Sequence, residues 1–191
     1  MSKKIGVLAL QGAVAEHLSC LRRFDVQAAT VKTMEEIDQL DGLILPGGES
    51  TAMGKLLEYF SMMKPLREKI QQGMPVWGTC AGLILLAKEI ENQEKTYIGL
   101  MDIKVARNAY GGQLESFSRM VSLPMVSEQE LPLVFIRAPY IASVGSEVQI
   151  LGKLDERIIA AKQENMLVTA FHPELTDDGC FHQYFIEAFV K

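Results

Sequence analysis

The sequence predicts a three-layer α/β fold with a mixed, mostly parallel sheet, and two features of the chain lead to this prediction. Short apolar runs bounded by Gly or Pro alternate with segments of helical spacing over the first half of the chain. This alternation is typical of right-handed βαβ crossovers. From about residue 104 the chain is strand-like and rich in turns, which indicates an antiparallel extension of the sheet in the C-terminal half.

The individual elements follow from the same patterns. Four runs are short and apolar throughout, as expected where both faces of a sheet are covered: residues 4–10, 27–31, 42–46 and 75–79. Helical spacing covers 12–24 and 50–73, and the second helical segment is interrupted before Pro65. The second half has five strand-like segments and then one helix, at 104–124, 133–144, 148–154, 157–163, 166–173 and 180–190.

Length and composition predict one globular domain over residues 1–191. The chain has 48% hydrophobic and 23% charged residues, with no internal repeat and no linker. The net charge of −5, with no basic run, argues against nucleic acid or anionic membrane surfaces as partners. The longest apolar segment, 76–87, is shorter than the roughly 20 residues that cross a bilayer.

The termini and the cysteines indicate a cytoplasmic setting. The apolar stretch near the N-terminus is too short for a signal peptide. The three cysteines are widely spaced and form neither a CxxC nor a CxxH cluster, so we expect no disulfide framework and no metal site. A GxGxxG fingerprint and a Walker motif are both absent, and we expect no cofactor.

Cys80 lies in the sequence GTCAG, between a predicted strand and a predicted helix. GxCxG is the cysteine form of the nucleophile elbow, in which a sharp strand-to-helix turn exposes the reactive side chain at the carboxyl edge of the sheet. A helix N-terminus favours a thiolate and can stabilise an oxyanion. The alternative is a small buried thiol in a tight turn, and GTCAG alone leaves both interpretations open.

His172 is the best candidate for the base that a thiol nucleophile needs. It ends a predicted strand, and Glu174 lies two residues on, so both side chains point the same way in extended geometry. The carboxylate can then orient the imidazole. His17 and His182 lack such a neighbour in the sequence, and we interpret them as surface or packing residues.

A third motif, LPGGEST at residues 45–51, joins a strand to a helix. Ser50 or Thr51 is the expected N-cap of that helix. Beside an elbow at Cys80, Gly47 and Gly48 can offer a second backbone N–H to an oxyanion, and Glu49 can present a carboxylate to a substrate ammonium group.

Six motifs, taken together and in order, carry a family resemblance: LQGAVAEH, LPGGEST, GTCAGLILLA, RNAYGGQ, FIRAP and AFHPEL. The chain resembles the glutaminase subunits of two-component pyridoxal 5′-phosphate synthases, which are class I (triad) glutamine amidotransferases. The resemblance runs from about Ile5 to Phe189. It implies a flavodoxin-like class I glutaminase fold, L-glutamine as substrate, and a (β/α)8 synthase subunit as partner in a hetero-oligomer.

The resemblance also implies roles for individual residues. Cys80, His172 and Glu174 form the triad, and backbone N–H groups near Gly48 and Ala81 hold the oxyanion. Gln11 lies where the family's N-terminal loop approaches the site. The residues at the family's glutamine-binding positions are Gly48, Glu49, Ser50, Arg107, Ile136 and Arg137. Gly112 replaces an arginine that the family commonly has, so whatever that side chain contributes to the site mouth or to docking is absent here.

Three other functions are compatible with parts of the pattern. The chain could be the class I glutaminase subunit of another amidotransferase, such as the one in histidine biosynthesis. It could be a hydrolase of a different amide or ester, or a non-catalytic binding subunit on the same fold. The PGGEST and RNAYG motifs argue against the first of these, and an intact Cys80, His172 and Glu174 set argues against the last.

Overall fold

The computed structural model describes residues 2–107 and 116–191, in which a large mixed sheet is packed with helices. The first half contains five strands and five helices, which alternate except that α4 follows α3 directly: β1 (Lys3–Leu8), α1 (Val14–Leu21), β2 (Val26–Val31), α2 (Met34–Ile37), β3 (Gly42–Leu45), α3 (Ser50–Tyr59), α4 (Met63–Gln71), β4 (Val76–Thr79), α5 (Ala81–Leu86) and β5 (Ala87–Ile90). The described part of the second half contains seven strands, a 3-10 turn and one helix: β6 (Met101–Ala106), β7 (Ser116–Val121), β8 (Leu131–Ile136), β9 (Tyr140–Val144), β10 (Gln149–Leu154), β11 (Arg157–Gln163), β12 (Met166–Thr169), the turn Pro173–Leu175 and α6 (Cys180–Phe189).

The sheet has a parallel half and an antiparallel extension, as predicted. Its strand order is β2-β1-β3-β4-β12-β11-β9-β6-β5, and β10 also pairs with β11. Strands β2, β1, β3, β4 and β12 are mutually parallel. The pairs β11–β12, β9–β11, β6–β9 and β10–β11 are antiparallel. Every residue of β3 and β4 is buried, so both faces of the sheet centre are covered.

Three features of the sheet differ from the predicted pattern. β12 lies in the second half of the chain yet is parallel to β4. β5 follows α5 without a loop and pairs in parallel with β6, where no strand was predicted. β7 and β8 form a separate two-stranded antiparallel sheet. β7 is largely exposed and does not pair with any strand of the main sheet.

The predicted break in the second helical segment is present, and its position explains the proline. α3 ends at Tyr59 and α4 begins at Met63, so Pro65 lies in the first turn of α4. A residue in the first turn needs no backbone N–H for the helix ladder, and proline is therefore tolerated there.

The parallel half of the sheet determines where a site can form. Parallel strands end at one edge, so the segments after β1, β3, β4 and β12 meet there. These four segments contain Gln11, Gly48, Cys80 and His172. Within the described ranges, no helix combines the length and the apolar character needed to cross a membrane.

Candidate active site

Cys80 occupies a strained turn between β4 and α5. Its backbone has φ 48° and ψ −97°, a positive φ that is uncommon for a residue with a side chain. The Cys80 N–H donates to the Thr169 carbonyl at 2.8 Å, which ties the turn to the neighbouring strand β12. Its Sγ is 4.0 Å from the Ile136 carbonyl oxygen. The strained turn therefore holds the thiol at the carboxyl edge of the sheet.

The two glycines of GTCAG allow α5 to pack directly on the sheet. A Cβ at Gly82 would overlap the carbonyl oxygen of Leu45 in β3, and a Cβ at Gly78 would overlap the backbone of Gly82. Both contacts are with backbone atoms, which cannot move aside as a flexible side chain can. The spacing of glycines around Cys80 is thus required by the packing of the first turn of α5 against β3 and β4.

His172 and Glu174 form a buried hydrogen-bonded pair just beyond β12. The Nδ1 atom of His172 is 2.7 Å from Oε1 of Glu174. The backbone N–H of His172 donates to the Val134 carbonyl in β8 at 2.8 Å. Because Nδ1 is engaged by the carboxylate, Nε2 is the ring nitrogen that remains for the cavity. The extended geometry assumed from the sequence is replaced by the start of a 3-10 turn at Pro173, which still brings the two side chains together.

The electrostatics of this pair favour a charged imidazole. Burial alone would lower the pKa of His172, but hydrogen bonds and charge interactions with Cys80 and Glu174 outweigh it and raise the pKa to about 10. At neutral pH the ring is therefore an imidazolium between two acidic groups. Such a partner stabilises a thiolate.

Cys80 and His172 line a cavity of about 430 Å³, within the usual size range of small-molecule sites. Every residue predicted for the triad, the oxyanion or glutamine binding lines this cavity except Glu174, and Gln11 and Gly47 line it too: Gln11, Gly47, Gly48, Glu49, Ser50, Cys80, Ala81, Arg107, Ile136, Arg137 and His172. Glu174 does not line it, because it is behind His172. Sequence reasoning had not proposed the remaining lining residues, Gly12, Ala13, Ile84 and Pro139, which carry no chemical signal.

Glu49, and not Ser50 or Thr51, is the N-cap of α3, which corrects the sequence interpretation. Its carboxylate accepts hydrogen bonds from the N–H groups of Thr51 and Ala52 at 2.9 and 2.7 Å. Burial would raise the pKa of Glu49, but these bonds and the charge of Arg107 outweigh burial and lower the pKa. Arg107 Nη2 is 3.4 Å from Oε1 of Glu49.

The Ser50 hydroxyl is the unsatisfied polar group at the cavity. Ser50 is 2% exposed, and its Oγ has no hydrogen-bond partner within residues 2–107 and 116–191. Gln11 contributes to the same loop, since its Oε1 accepts the Glu49 N–H at 2.8 Å. Arg137 enters the cavity wall from a turn with φ 43°. Gly112 and its neighbours in RNAYGGQ fall outside the described residues, apart from Arg107.

His17 and His182 are both buried, and His17 has a carboxylate neighbour that its sequence surroundings do not reveal. The burial of His17 agrees with its interpretation as a packing residue, and its Nε2 is 3.5 Å from Oε2 of Glu174, which is distant in the sequence. Its other nitrogen, Nδ1, is 3.0 Å from Nε2 of His182. The contact joins α1 to the turn after β12, and no local pattern predicts it. Among the described residues, no group of three or more His, Cys, Asp or Glu side chains is arranged to hold a metal ion.

Comparison with solved structures gives the class of protein. The chain matches one titled "Crystal structure of glutamine amidotransferase" with a TM-score of 0.90 and 39% identity, covering 96% of this chain and 97% of that one. It also has the fold of a chain titled "Structure of PurLQS from Thermotoga maritima", with a TM-score of 0.69, 16% identity and full coverage of both. The fold is thus that of glutamine amidotransferases.

The chain belongs to the SNO glutamine amidotransferase family, whose profile matches residues 7–191. Curated relatives are similar over nearly their whole length. One from Carboxydothermus hydrogenoformans is 56% identical over 188 residues, covering 98% of each chain. Others from Clostridium botulinum and Streptococcus pneumoniae are each 54% identical, covering 98% and 96% of each chain respectively. All three are named "Pyridoxal 5'-phosphate synthase subunit PdxT".

Proposed function

We propose that this chain hydrolyses L-glutamine to L-glutamate and ammonia, and that the ammonia passes to a synthase that makes pyridoxal 5′-phosphate. The observation that carries the proposal is the arrangement at the cavity: a cysteine on a strained turn beside an imidazole whose far nitrogen is 2.7 Å from a buried carboxylate. The family and the names of the relatives support the same activity.

The reaction begins from a thiolate and an imidazolium. Cys80 Sγ attacks the side-chain carboxamide carbon of glutamine, and the carbonyl oxygen becomes an oxyanion held by backbone N–H groups of Gly48 and Ala81. His172 Nε2–H donates its proton to the departing nitrogen, the C–N bond breaks, and ammonia leaves. A glutamyl thioester remains on Cys80.

Hydrolysis of the thioester restores the enzyme. His172, now neutral, takes a proton from water, and the resulting hydroxide attacks the thioester carbon. The C–S bond breaks, glutamate leaves, and the thiolate and imidazolium form again. Glu174 holds the imidazole orientation through both steps and does not contact the substrate.

Residues around the cavity fit the charged ends of glutamine. Glu49 offers a carboxylate for the α-ammonium group, and Arg107 and Arg137 offer guanidinium groups for the α-carboxylate. The buried Ser50 hydroxyl, which has no partner in the described part of the chain, gains one when a polar ligand binds. Gly48 and Ile136 complete the wall around the substrate.

The partner is proposed from the relatives, which are named as subunits of a synthase. Free ammonia in water would be protonated and diluted, so a glutaminase of this kind works best in a hetero-oligomer with its acceptor. We propose a (β/α)8 synthase subunit as that acceptor and the cytoplasm as the location. No cofactor takes part in the glutaminase step.

The test is glutamate release with and without the synthase subunit. Cys80→Ala should abolish glutamate release, since it removes the nucleophile, whereas Cys180→Ala should retain it because Cys180 lies outside the cavity. Ammonium salts should restore pyridoxal phosphate formation to the complex that contains Cys80→Ala. Release of ammonia from another amide but not from glutamine would contradict the proposal, as would full activity of Cys80→Ala.

A further inference from the structure

Behind the catalytic pair, a second layer of buried polar side chains contacts Glu174. Oε1 of Glu174 is bound to His172, while Oε2 is buried and has no hydrogen bond to any described residue. His17 Nε2 lies 3.5 Å from this oxygen and 3.2 Å from Oγ1 of Thr79. His17 is completely buried, and its Nδ1 is 3.0 Å from Nε2 of His182.

The carboxylate decides which nitrogen of His17 carries the proton. A neutral imidazole has one N–H and one lone pair, and the bond between His17 and His182 can be made in either direction. If His17 carried its proton on Nδ1, the lone pair of Nε2 would face Oε2 of Glu174, which is repulsive. With the proton on Nε2, the N–H is directed at Thr79 Oγ1 at 3.2 Å, and the carboxylate oxygen 3.5 Å away then lies near a positively polarised N–H and not near a lone pair.

The environment of His182 supports the same arrangement. Its Nδ1 is buried and has no partner within the described ranges. If His182 donates from Nε2 to His17 Nδ1, the unpartnered atom is a lone pair. In the opposite arrangement it would be a buried N–H, and orphaned buried donors are rarer than under-satisfied acceptors.

Both rings are held neutral by their surroundings. Burial lowers the pKa of His17 well below its usual value, and interactions with His182 and His172 lower it further. Burial, and then the charge of Arg23, lower the pKa of His182 to about 3. Trp77 packs edge-on against both rings, with centroids 5.7 Å from His17 and 4.9 Å from His182. Both histidines are completely buried.

We propose that His17 is a positioning residue for Glu174, acting as a neutral imidazole with its proton on Nε2, and that His182 fixes this tautomer by donating to His17 Nδ1. The terminal torsion of a glutamate is broad, so one hydrogen bond to His172 leaves the carboxylate free to rotate. A second contact at Oε2 holds Oε1 toward His172. This inference deepens the proposed glutaminase function and rests on it.

The kinetic test uses three variants of the full chain, assayed with the synthase subunit present. His17→Leu removes the N–H and should lower kcat roughly tenfold, as loss of an orienting partner does elsewhere, with KM changed less than about twofold. His17→Gln keeps an amide N–H near the position of Nε2 and should recover most of the lost kcat. Leu21→Ala, a fully buried change on the same helix, should lower stability and leave kcat unchanged.

A spectroscopic test needs no variant and does not depend on activity. Nitrogen-15 NMR of the imidazole rings in the unsubstituted chain should show His17 and His182 neutral near pH 7, each with its proton on Nε2. A proton on Nδ1 of His17, or a charged His17 ring, would overturn the inference.

The two proposals fail in distinguishable ways. If the unsubstituted complex releases no glutamate from glutamine, the proposed function is wrong, and the NMR tautomers still decide whether His17 faces Glu174 as described. If the unsubstituted complex is active and His17→Leu keeps its kcat within about twofold, the positioning role is wrong and the function stands. Equal loss in His17→Leu and His17→Gln would also count against the positioning role.

Discussion

At the scale of single residues, Glu174 connects two layers of the site through its two oxygens. Oε1 binds His172, which faces the cavity, and Oε2 faces His17, which does not. The charge of Glu174 is one of the interactions that raise the pKa of His172. Its removal therefore has a measurable electrostatic effect apart from any effect on turnover.

Glu174→Gln should lower the pKa of His172 from about 10, because it removes the negative charge and keeps the size of the side chain. An NMR titration of the His172 ring would measure the midpoint, and we expect a decrease of at least about one unit. Glu187→Gln, an exposed change of the same kind, should leave the midpoint unchanged. An unaltered midpoint in Glu174→Gln would contradict this electrostatic interpretation.

Sequence reasoning was strongest where chemistry and chain position coincide. Cys80 within GTCAG and His172 within HPE fall at strand ends, and strand ends of a parallel sheet meet. Their catalytic roles, and those of the substrate-binding residues, stay predictions for the experiments above. The contact between His17 and Glu174 was out of reach, because it depends on how α1 packs against a turn encoded far along the chain.

At the scale of elements, the turn around Cys80 depends on close backbone packing. Gly82→Ala would place a Cβ against the Leu45 carbonyl, and α5 would have to move away from β3. We expect a loss of about 1–3 kcal/mol in the free energy of unfolding, typical of overpacking, together with a large loss of glutaminase activity. Urea unfolding and glutamate release would measure the two effects.

The control for Gly82→Ala is Lys55→Ala, which changes an exposed position of α3. It should leave both stability and activity nearly unchanged, since surface substitutions usually have small effects. A Gly82→Ala chain that is as stable and as active as the unsubstituted chain would show that the first turn of α5 is not constrained by this contact.

The elements that sequence reasoning identified best were the apolar strands bounded by Gly or Pro. β3 and β4 agree with their predicted limits within one residue, because burial on both faces leaves a continuous apolar run. β5 was missed, since Ala87–Ile90 continues an apolar segment with no turn signal before it. The separate sheet of β7 and β8 was also missed, because the hydrophobic periodicity of a strand does not indicate which other strand it pairs with.

At the scale of the whole molecule, buried histidines make stability depend on pH in two opposite directions. His17 and His182 have lowered pKa values, so the unfolded chain binds protons that the folded chain excludes as pH falls below about 6.5. They reduce stability progressively on the acid side. His172, with its raised pKa, contributes stability that is fully present below about 6.5 and is lost as pH rises through about 10.

His182→Phe should therefore flatten the acid side of the stability curve. The unfolded chain binds a proton at His182 that the folded chain excludes, and the substitution removes this difference. The free energy of unfolding should then change less steeply with pH, by up to about 1.4 kcal/mol per pH unit between about pH 4 and 6. Urea unfolding at several pH values would measure the slope. Tyr184→Phe, a change on the same helix that leaves all three histidines in place, should keep the original slope. Equal slopes in His182→Phe and the unsubstituted chain would contradict the assignment of His182 as a buried neutral ring.

The fold class predicted from the alternation of elements is confirmed at this scale by the mixed sheet and by the matching solved structures. One hydrophobic cluster includes residues from both halves of the chain, from Ile5 to Val190. That residues 1–191 form a single domain stays a prediction. The sequence does not predict which strands belong to which of the two sheets. Membership depends on the pairing partner of each edge strand, and that partner can be distant in the chain.

The small sheet also touches both reacting groups, because β8 receives the His172 N–H at Val134 and lies beside the Cys80 thiol at Ile136. The nucleophile and the base are thus both in contact with one strand that does not belong to the sheet from which they project. A sliding motion of that strand by a fraction of an ångström would shift both groups at once. The relative position of Cys80 and His172 accordingly depends on how the two sheets pack against each other. A displacement of the β7–β8 sheet would move the sulfur and the imidazole together.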